Sequence, residues 1–341
     1  MQIAFLSCKN PIYQCGISNY TFLLLEILKK TKLHVNWLPL NSKSCLVKLS
    51  KDVPRAEYYS LQFAPFSWAN EGISGKKLLK LARALEAKKL HVNFHEIWVG
   101  DYHNAKLNEK ILGWFQKREI LEFLKIAKPF WVTSSNSAAL ARLRNAGIKA
   151  EYLYLFGNIP YSLSEQIKTS NEITVVFFGT LYEQFPFDIL AKNLDEISKS
   201  LDKTIHIIIM GRQRENEGLK RIKRICQKYF FVLSQRGKQQ SKVISKEFQN
   251  CDLGISTTPY DILGKSGATA AMLEHGLPIL THDDEDTPKD KLFVMQEFQD
   301  QVFLLNDSLL TQKLISFFKK PRKPFFDGVA YTRKKILTTI N

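Results

Sequence analysis

Short apolar runs alternate with helically spaced ones along the chain, and midway the alternation starts again. "MQIAFLS" reads as a strand running into a polar loop. In "GISNYTFLLLEILKK", Ile17, Tyr20, Leu24, Ile27 and Leu28 recur at helical spacing. Then come strands "LHVNWLPL" and "AEYYSLQF", helix "GKKLLKLARALEAKK" and strand with loop "LHVNFHEIWVG". A long helix "NEKILGWFQKREILEFLKIAK", strand "PFWVTSS" and helix "NSAALARLRNAG", stopped by glycine, complete the first half. Strands that alternate with helices predict a parallel sheet covered on both faces.

The second half opens on "EITVVFFGTL", a continuous apolar strand ending in Gly-Thr. Helix "PFDILAKNLDEISKS", strand "KTIHIIIMGR", basic helix "GLKRIKRICQKY", strand "FFVLSQRG", helix "SKVISKEFQNC", strand "DLGISTTP", a further helix and strand "LPILTH" follow. "LYLFGNIPYSLSEQ", with its Gly, Pro and Ser, marks the boundary. The domains expected are 1–157, 158–323 and a terminal helix at 324–341 that crosses back to the first. With 341 residues, two cores are the default.

The net charge of +16 is unevenly spread: eleven basic residues face two acidic ones from Arg212 to Lys246, and seven face one from Lys319 onward. Such an excess suits anionic partners. Cys8, Cys15, Cys45, Cys226 and Cys251 are odd in number and scattered, which argues against a disulfide framework or zinc knuckle and for a reducing compartment. No leader and no apolar run long enough for a membrane span is read, so a cytoplasmic protein is expected.

In open α/β sheets, ligands bind where loops leave the carboxyl ends of the strands, and two such domains facing each other would enclose a cleft. Four loops in the second half have glycine there: Gly179-Thr180, Gly211-Arg212, Arg236-Gly237 and Gly264-Lys265-Ser266-Gly267. Glycine lets backbone approach a ligand, and a helix start offers free N–H groups. Ser266, Gly267 and Ala268 therefore read as an anion seat with Lys265 beside it. The bland alternative is an N-cap by Ser266. No Walker A loop surrounds this Gly-Lys-Ser, and no G-x-G-x-x-G follows a strand. "THDDEDTP" carries Asp283, Asp284, Glu285 and Asp286; it reads as a solvated acidic loop, with no metal site expected.

"CDLGISTTPYDILGKSGATAAMLEHGLPIL" resembles the donor-binding region of bacterial family 4-type glycosyltransferases. "TVVFFGTLY", "IHIIIMGRQ", "RGKQQSKVISKEFQNCD", "YQCGISNYTFLLLEIL", "SLQFAPFSWANEGIS", "NFHEIW" and "VTSSNSAALARLRNAGI" follow in family order. The resemblance covers most of the chain and implies the GT-B fold: two Rossmann-like doubly wound α/β domains facing a cleft. It implies a hexosyltransferase-type enzyme of polysaccharide or glycolipid synthesis, moving a sugar from a UDP- or GDP-linked donor to a glycan or lipid-linked acceptor. Retention, no cofactor or metal, and no nucleic-acid partner go with it. The basic surface suits an anionic membrane leaflet, with Lys76, Lys77, Lys80 and Arg83 as one contact.

On that resemblance Gly16, Gly179, Thr180, Gly211, Arg212, Lys265, Ser266, Gly267 and Ala268 surround the donor phosphates. Tyr260, Asp261 and Glu274 touch sugar or nucleotide, and His95 with Glu96 sits at the reacting carbon. A core histidine satisfied by its neighbours is the plain reading of His95. The chain departs from the family pattern. Thr180 stands where an arginine is usual, Phe185-Pro186 where a lysine is, and Leu263 and Ala271 where paired glutamates are, with Glu274 three residues on. Two other classes fit the same observations: a nucleotide-sugar epimerase on this fold, and a non-catalytic basic binding module.

Overall fold

A computed structural model describes residues 1–8, 16–31, 33–40, 55–69, 71–101, 105–163, 171–211, 215–283 and 296–340. The chain divides into two compact units, Met1–Leu155 with Val329–Asn341, and Phe156–Gly328.

The first unit contains β1 (Gln2–Cys8), α1 (Gly16–Lys29), β2 (His34–Leu40), β3 (Tyr58–Phe63), the single turn α2 (Pro65–Trp68) and α3 (Lys76–Leu85). β4 (Leu90–Phe94), α4 (Leu107–Ala127), β5 (Trp131–Ser134), α5 (Ser137–Asn145) and β6 (Glu151–Tyr152) follow. The strands form one parallel sheet in the order β2-β1-β3-β4-β5-β6. α5 starts where Asn136 Oδ1 accepts the Ala139 amide at 2.8 Å, and it stops at Gly147, whose φ is 78°. The terminal helix α11 (Gly328–Ile340) belongs largely to this unit: Thr332 Oγ1 donates to Tyr154 O, and Lys89 Nζ to Ile340 O.

The second unit contains β7 (Glu172–Phe178), α6 (Phe187–Leu201), β8 (Thr204–Met210), α7 (Glu217–Tyr229), β9 (Val232–Gly237) and α8 (Ser241–Asn250). β10 (Leu253–Ile255), a 3-10 turn Tyr260–Lys265, α9 (Gly267–Glu274), β11 (Ile279–Thr281), β12 (Val302–Leu304) and α10 (Leu310–Phe318) complete it. Its parallel sheet runs β12-β11-β10-β7-β8-β9. Numbered within the unit, that is the 3-2-1-4-5-6 order of a dinucleotide-binding fold. β7 lies at the centre, with Val175, Val176 and Phe177 fully buried, as a strand covered on both faces requires.

The doubly wound α/β expectation holds in both units. α2, β6, β12 and α10 have no counterpart in the sequence reading. The strand expected over "DLGISTTP" ends at Ile255, and residues 256–259 form a loop.

Arg322, from the basic tail, is not a solvated charge. Its guanidinium donates to the carbonyls of Phe248, Gln249 and Cys251 at the end of α8, and to His275 O just past α9. One planar fork thus satisfies the orphan carbonyls of two helices. Gly276 turns the chain out of α9 with φ 71°, and a Cβ there would collide with Lys323 O.

Candidate functional site

In a sheet of this order the strand direction of winding reverses between its first and fourth strands, here β7 and β10, and loops diverging there leave a crevice. The loops after β7 and β10 meet at this switch point. Thr257 Oγ1 donates to Thr180 O at 2.8 Å and accepts the Tyr182 amide at 3.2 Å. Gly179, with φ 93°, lies so close to α9 that an added Cβ would be 3.0 Å from the Ala268 Cβ. The neighbouring strand ends are tied by backbone: Gly179 N to Met210 O at 3.2 Å, and Gly211 N to Gly237 O at 2.9 Å. Gly179, Thr180, Gly211, Ser266, Gly267 and Ala268 therefore line the carboxyl end of one sheet. Arg212 lies outside the described residues, as do Asp284, Glu285 and Asp286.

The start of α9 explains its small residues. Ser266 is the N-cap, and its Oγ accepts the Thr269 amide at 3.2 Å. Helix geometry leaves the Gly267 and Ala268 amides without intrahelical acceptors. Behind them runs a hydroxyl chain. Ser256 Oγ pairs with Thr269 Oγ1 at 2.8 Å, and Thr269 Oγ1 donates to Ser266 Oγ at 2.9 Å. With Thr269 donating, Ser256 donates to it, and the Ser266 proton is directed away from the core. Two amides and one O–H thus face the half-buried mouth, with exposed Lys265 beside them. The set can hold an anion of two or more oxygens. Tyr260 and Asp261 lie in the 3-10 turn just before it; burial, with the Asp283 carboxylate nearby, pushes the Tyr260 hydroxyl up to about 12.

Glu274 does not open onto this mouth. It is 2% exposed, and its Oε1 accepts the Gly157 amide at 2.9 Å. Ala271, where the resemblance places a glutamate, faces the same backbone: an added Cβ on Gly157 would be 2.6 Å from Ala271 N. His275 is likewise internal, with Nδ1 donating to Ala271 O and Nε2 accepting from Ser245 Oγ.

The first unit holds a second polar constellation, inside its sheet. Ser60 and Gln62 on β3, His91 and Asn93 on β4 and Thr133 on β5 are buried on one face, paired by register as Ser60 with His91, Gln62 with Asn93 and Asn93 with Thr133. One direction of protons satisfies them all. Gln62 Nε2 donates to Ser60 Oγ (2.8 Å) and Ser60 to His91 Nδ1 (3.0 Å). His91 Nε2 donates to Thr133 Oγ1 (2.8 Å), Thr133 to Asn93 Oδ1 (2.9 Å) and Asn93 Nδ2 to Gln62 Oε1 (2.9 Å), which closes a ring.

His95 hangs from this ring just past β4. Its Nε2 donates to Gln62 Oε1 at 2.9 Å, and the Tyr20 ring meets it edge-on at 5.0 Å. Burial lowers its pKa to about 4 and that of His91, with His95 nearby, to about 3. Both rings are neutral at pH 7. The ring fixes His95 as the Nε2–H tautomer, so its Nδ1 presents a lone pair. His95 is thus both a satisfied interior histidine and an acceptor at a strand end. Glu96, next to it, is exposed, and Gly16 opens α1 at the same end of the sheet. Sequence reasoning missed Gln62, Asn93, His91 and Thr133. Their signal was a polar side chain at every second position of a buried strand.

Solved structures share this architecture. HepE of Anabaena, in complex with UDP, aligns over 100% of this chain and 99% of its own with a TM-score of 0.56 and 13% identity. AviGT4, a glycosyltransferase involved in avilamycin A biosynthesis, aligns over 98% and 92% with a TM-score of 0.54 and 9% identity. The UDP-GlcNAc 2-epimerase from Methanocaldococcus jannaschii aligns over 100% of both chains with a TM-score of 0.50 and 13% identity. The chain therefore has the two Rossmann-like units of the GT-B fold, in the company of glycosyltransferases and sugar-nucleotide epimerases. No family profile matches the chain, and no curated protein matches its sequence.

Proposed function

We propose that the protein is a glycosyltransferase that uses a nucleotide diphosphate sugar. The observation that carries this is the anion seat at the switch point of the second unit, where Gly179 abuts the start of α9. In this reading the Gly267 and Ala268 amides and the Ser266 hydroxyl hold diphosphate oxygens, Lys265 supplies countercharge, and no metal or cofactor is required. These groups stabilise a leaving diphosphate, whose charge grows as the bond to the anomeric carbon breaks. The new bond forms to an acceptor hydroxyl, whose proton passes to the leaving phosphate oxygen. Retention of configuration, a glycan or lipid-linked acceptor and a place at the inner face of a cell membrane belong to the same proposal. His95, with a pKa near 4, is a weak base at pH 7, so it positions a sugar or acceptor hydroxyl through Nδ1 rather than removing its proton.

UDP is the first nucleotide to test, because HepE is solved with UDP and with UDP-glucose. Thermal melts are run with UDP, GDP, ADP, CMP and dTDP, with and without EDTA. Near 100 times its Kd, one ligand adds about 2.7 kcal/mol, a shift of roughly 5–10 °C for a unit of this size. The expected result is a selective shift that survives EDTA and falls at least about tenfold in affinity in Lys265→Ala. No shift with any nucleotide, together with salt-sensitive binding to RNA or DNA, sinks the proposal in favour of a basic binding module.

A second reading, a nucleotide-sugar epimerase, draws on the fold shared with the M. jannaschii enzyme. It needs acid and base groups at the sugar, for which His95 and Glu96 are the candidates. Conversion of a UDP-sugar to its epimer without any acceptor, followed by NMR, would favour it.

A further inference from the structure

α4 is apolar on two sides. Its inner face is anchored to the first unit: Gln116 Oε1 accepts the Val99 amide, Gln116 Nε2 donates to Gly72 O, and Glu119 accepts the Ser74 and Gly75 amides. Its outer face carries Leu107, Ile111, Trp114 and Phe115, which are 74%, 52%, 57% and 44% exposed. Their spacing puts them on one stripe. A folded surface does not expose such a run without a use.

We propose that this stripe docks the protein on an anionic lipid surface. The charges around it choose the occupant. Exposed Lys106, Lys110 and Arg118 border the stripe, with Arg118 over the Trp114 ring at 5.8 Å. Of the nearby acids, Glu109 accepts the Lys106 amide and Glu119 holds two amides of the 74–75 turn, while exposed Glu122 lies one turn beyond Arg118. Leucine, isoleucine and an arginine-topped tryptophan, flanked by lysines, make the face of a helix that lies in a membrane interface with its cations among phosphates. A second copy of this face would set Lys110 and Arg118 against their own kind. α3, packed beside α4, adds exposed Lys76, Lys80 and Arg83. α4 begins at the carboxyl end of β4, so the stripe starts at the end of the sheet that carries His95.

The test is flotation of the protein with vesicles of phosphatidylcholine alone or mixed with phosphatidylglycerol. Binding is expected with the mixed vesicles, weakening as salt rises. The triple variant Leu107→Ser, Ile111→Ser, Trp114→Ser should lower partitioning at least about tenfold, as should Lys110→Glu with Arg118→Glu, with melting curves unchanged. Should the triple variant fail to fold, Trp114→Phe serves: brominated lipid should quench parent fluorescence and lose that quenching in the variant. Equal quenching in both overturns the proposal. Failure of the parent to bind anionic vesicles, equal binding by the triple variant, or a parent dimer that this variant splits without any vesicle binding, each overturns it too. None of these readouts uses nucleotide or turnover, so they stand or fall apart from the enzymatic reading.

Discussion

Gln62 is the ring member that accepts the His95 proton, and its removal should be read twice, in stability and in tautomer. Gln62→Leu keeps the volume but deletes one donor to Ser60 and the acceptor shared by Asn93 and His95. A buried donor left unsatisfied costs about 1–3 kcal/mol, and a lost hydrogen bond about 1. Two orphan donors would be the result if nothing moved. His95 has an escape: its proton can shift to Nδ1, and Nε2 can then accept from Asn93 Nδ2, only 3.3 Å away. That rescues one donor and leaves a net loss of about 2–4 kcal/mol, or roughly 5–15 °C in the melting temperature of a unit this size. Long-range nitrogen–proton NMR of labelled histidine reads the tautomers, and calorimetry reads the loss. The parent should show His95 protonated at Nε2, and the variant at Nδ1. A parent already protonated at Nδ1, or a variant with unchanged melting and tautomer, refutes the ring and the acceptor role of His95. Gln62→Glu gives the opposite electrostatic result: a carboxylate beside the imidazole should lift the His95 pKa above about 4.

Three further outcomes are expected. Ala271→Glu, which restores the glutamate of the family pattern, should destabilise the second unit by at least about 3 kcal/mol, because Ala271 is fully buried on the Gly157 backbone; a variant that melts like the parent and binds nucleotide more tightly would refute this. His91, His95 and His275 have folded pKa values depressed to about 3, 4 and 4 by burial. Below the unfolded value near 6.5 the unfolded chain therefore binds more protons, and stability should fall steadily as pH drops from 6.5 toward 4, while it stays level between pH 7 and 8 as far as these groups go; melting temperatures across that range check it. Arg322→Lys keeps the charge but not the planar fork that reaches four carbonyls, and should cost roughly 2–3 kcal/mol by denaturant titration.

The architecture was legible because a central strand such as 172–178 is buried on both faces and so reads as an unbroken apolar run, while its helices keep their own period. The meeting of the β7 loop with the start of α9 was legible because Gly179 answers a local demand, close backbone approach, that few other residues meet. Other features depend on partners far along the chain. Glu274 resembles a ligand contact in sequence, and nothing local shows that its Oε1 accepts the Gly157 amide, 117 residues away. The ring around Gln62 is set by the register of three strands, which no local pattern contains. β12 escaped because a run of three apolar residues, Val302–Leu304, is too short to mark a strand by pattern, and α10 lies just past it. Arg322 sits in a cluster of cations and is told apart from them only by the helix ends it meets.

Arg322 and α11 together bear on how the protein is made. Synthesis runs from the first residue to the last, and a folding unit closes only when its final contact has left the ribosome. The second unit waits for residue 322, since until then the ends of α8 and α9 lack their cation. The first unit, whose sheet is finished by residue 152, waits longer still, for Thr332 to reach Tyr154 and for the carbonyl of Ile340 to reach Lys89. Two units that look sequential in the chain thus reach their final form within about twenty residues of each other, and a nascent chain arrested before position 322 should hold both open to proteases.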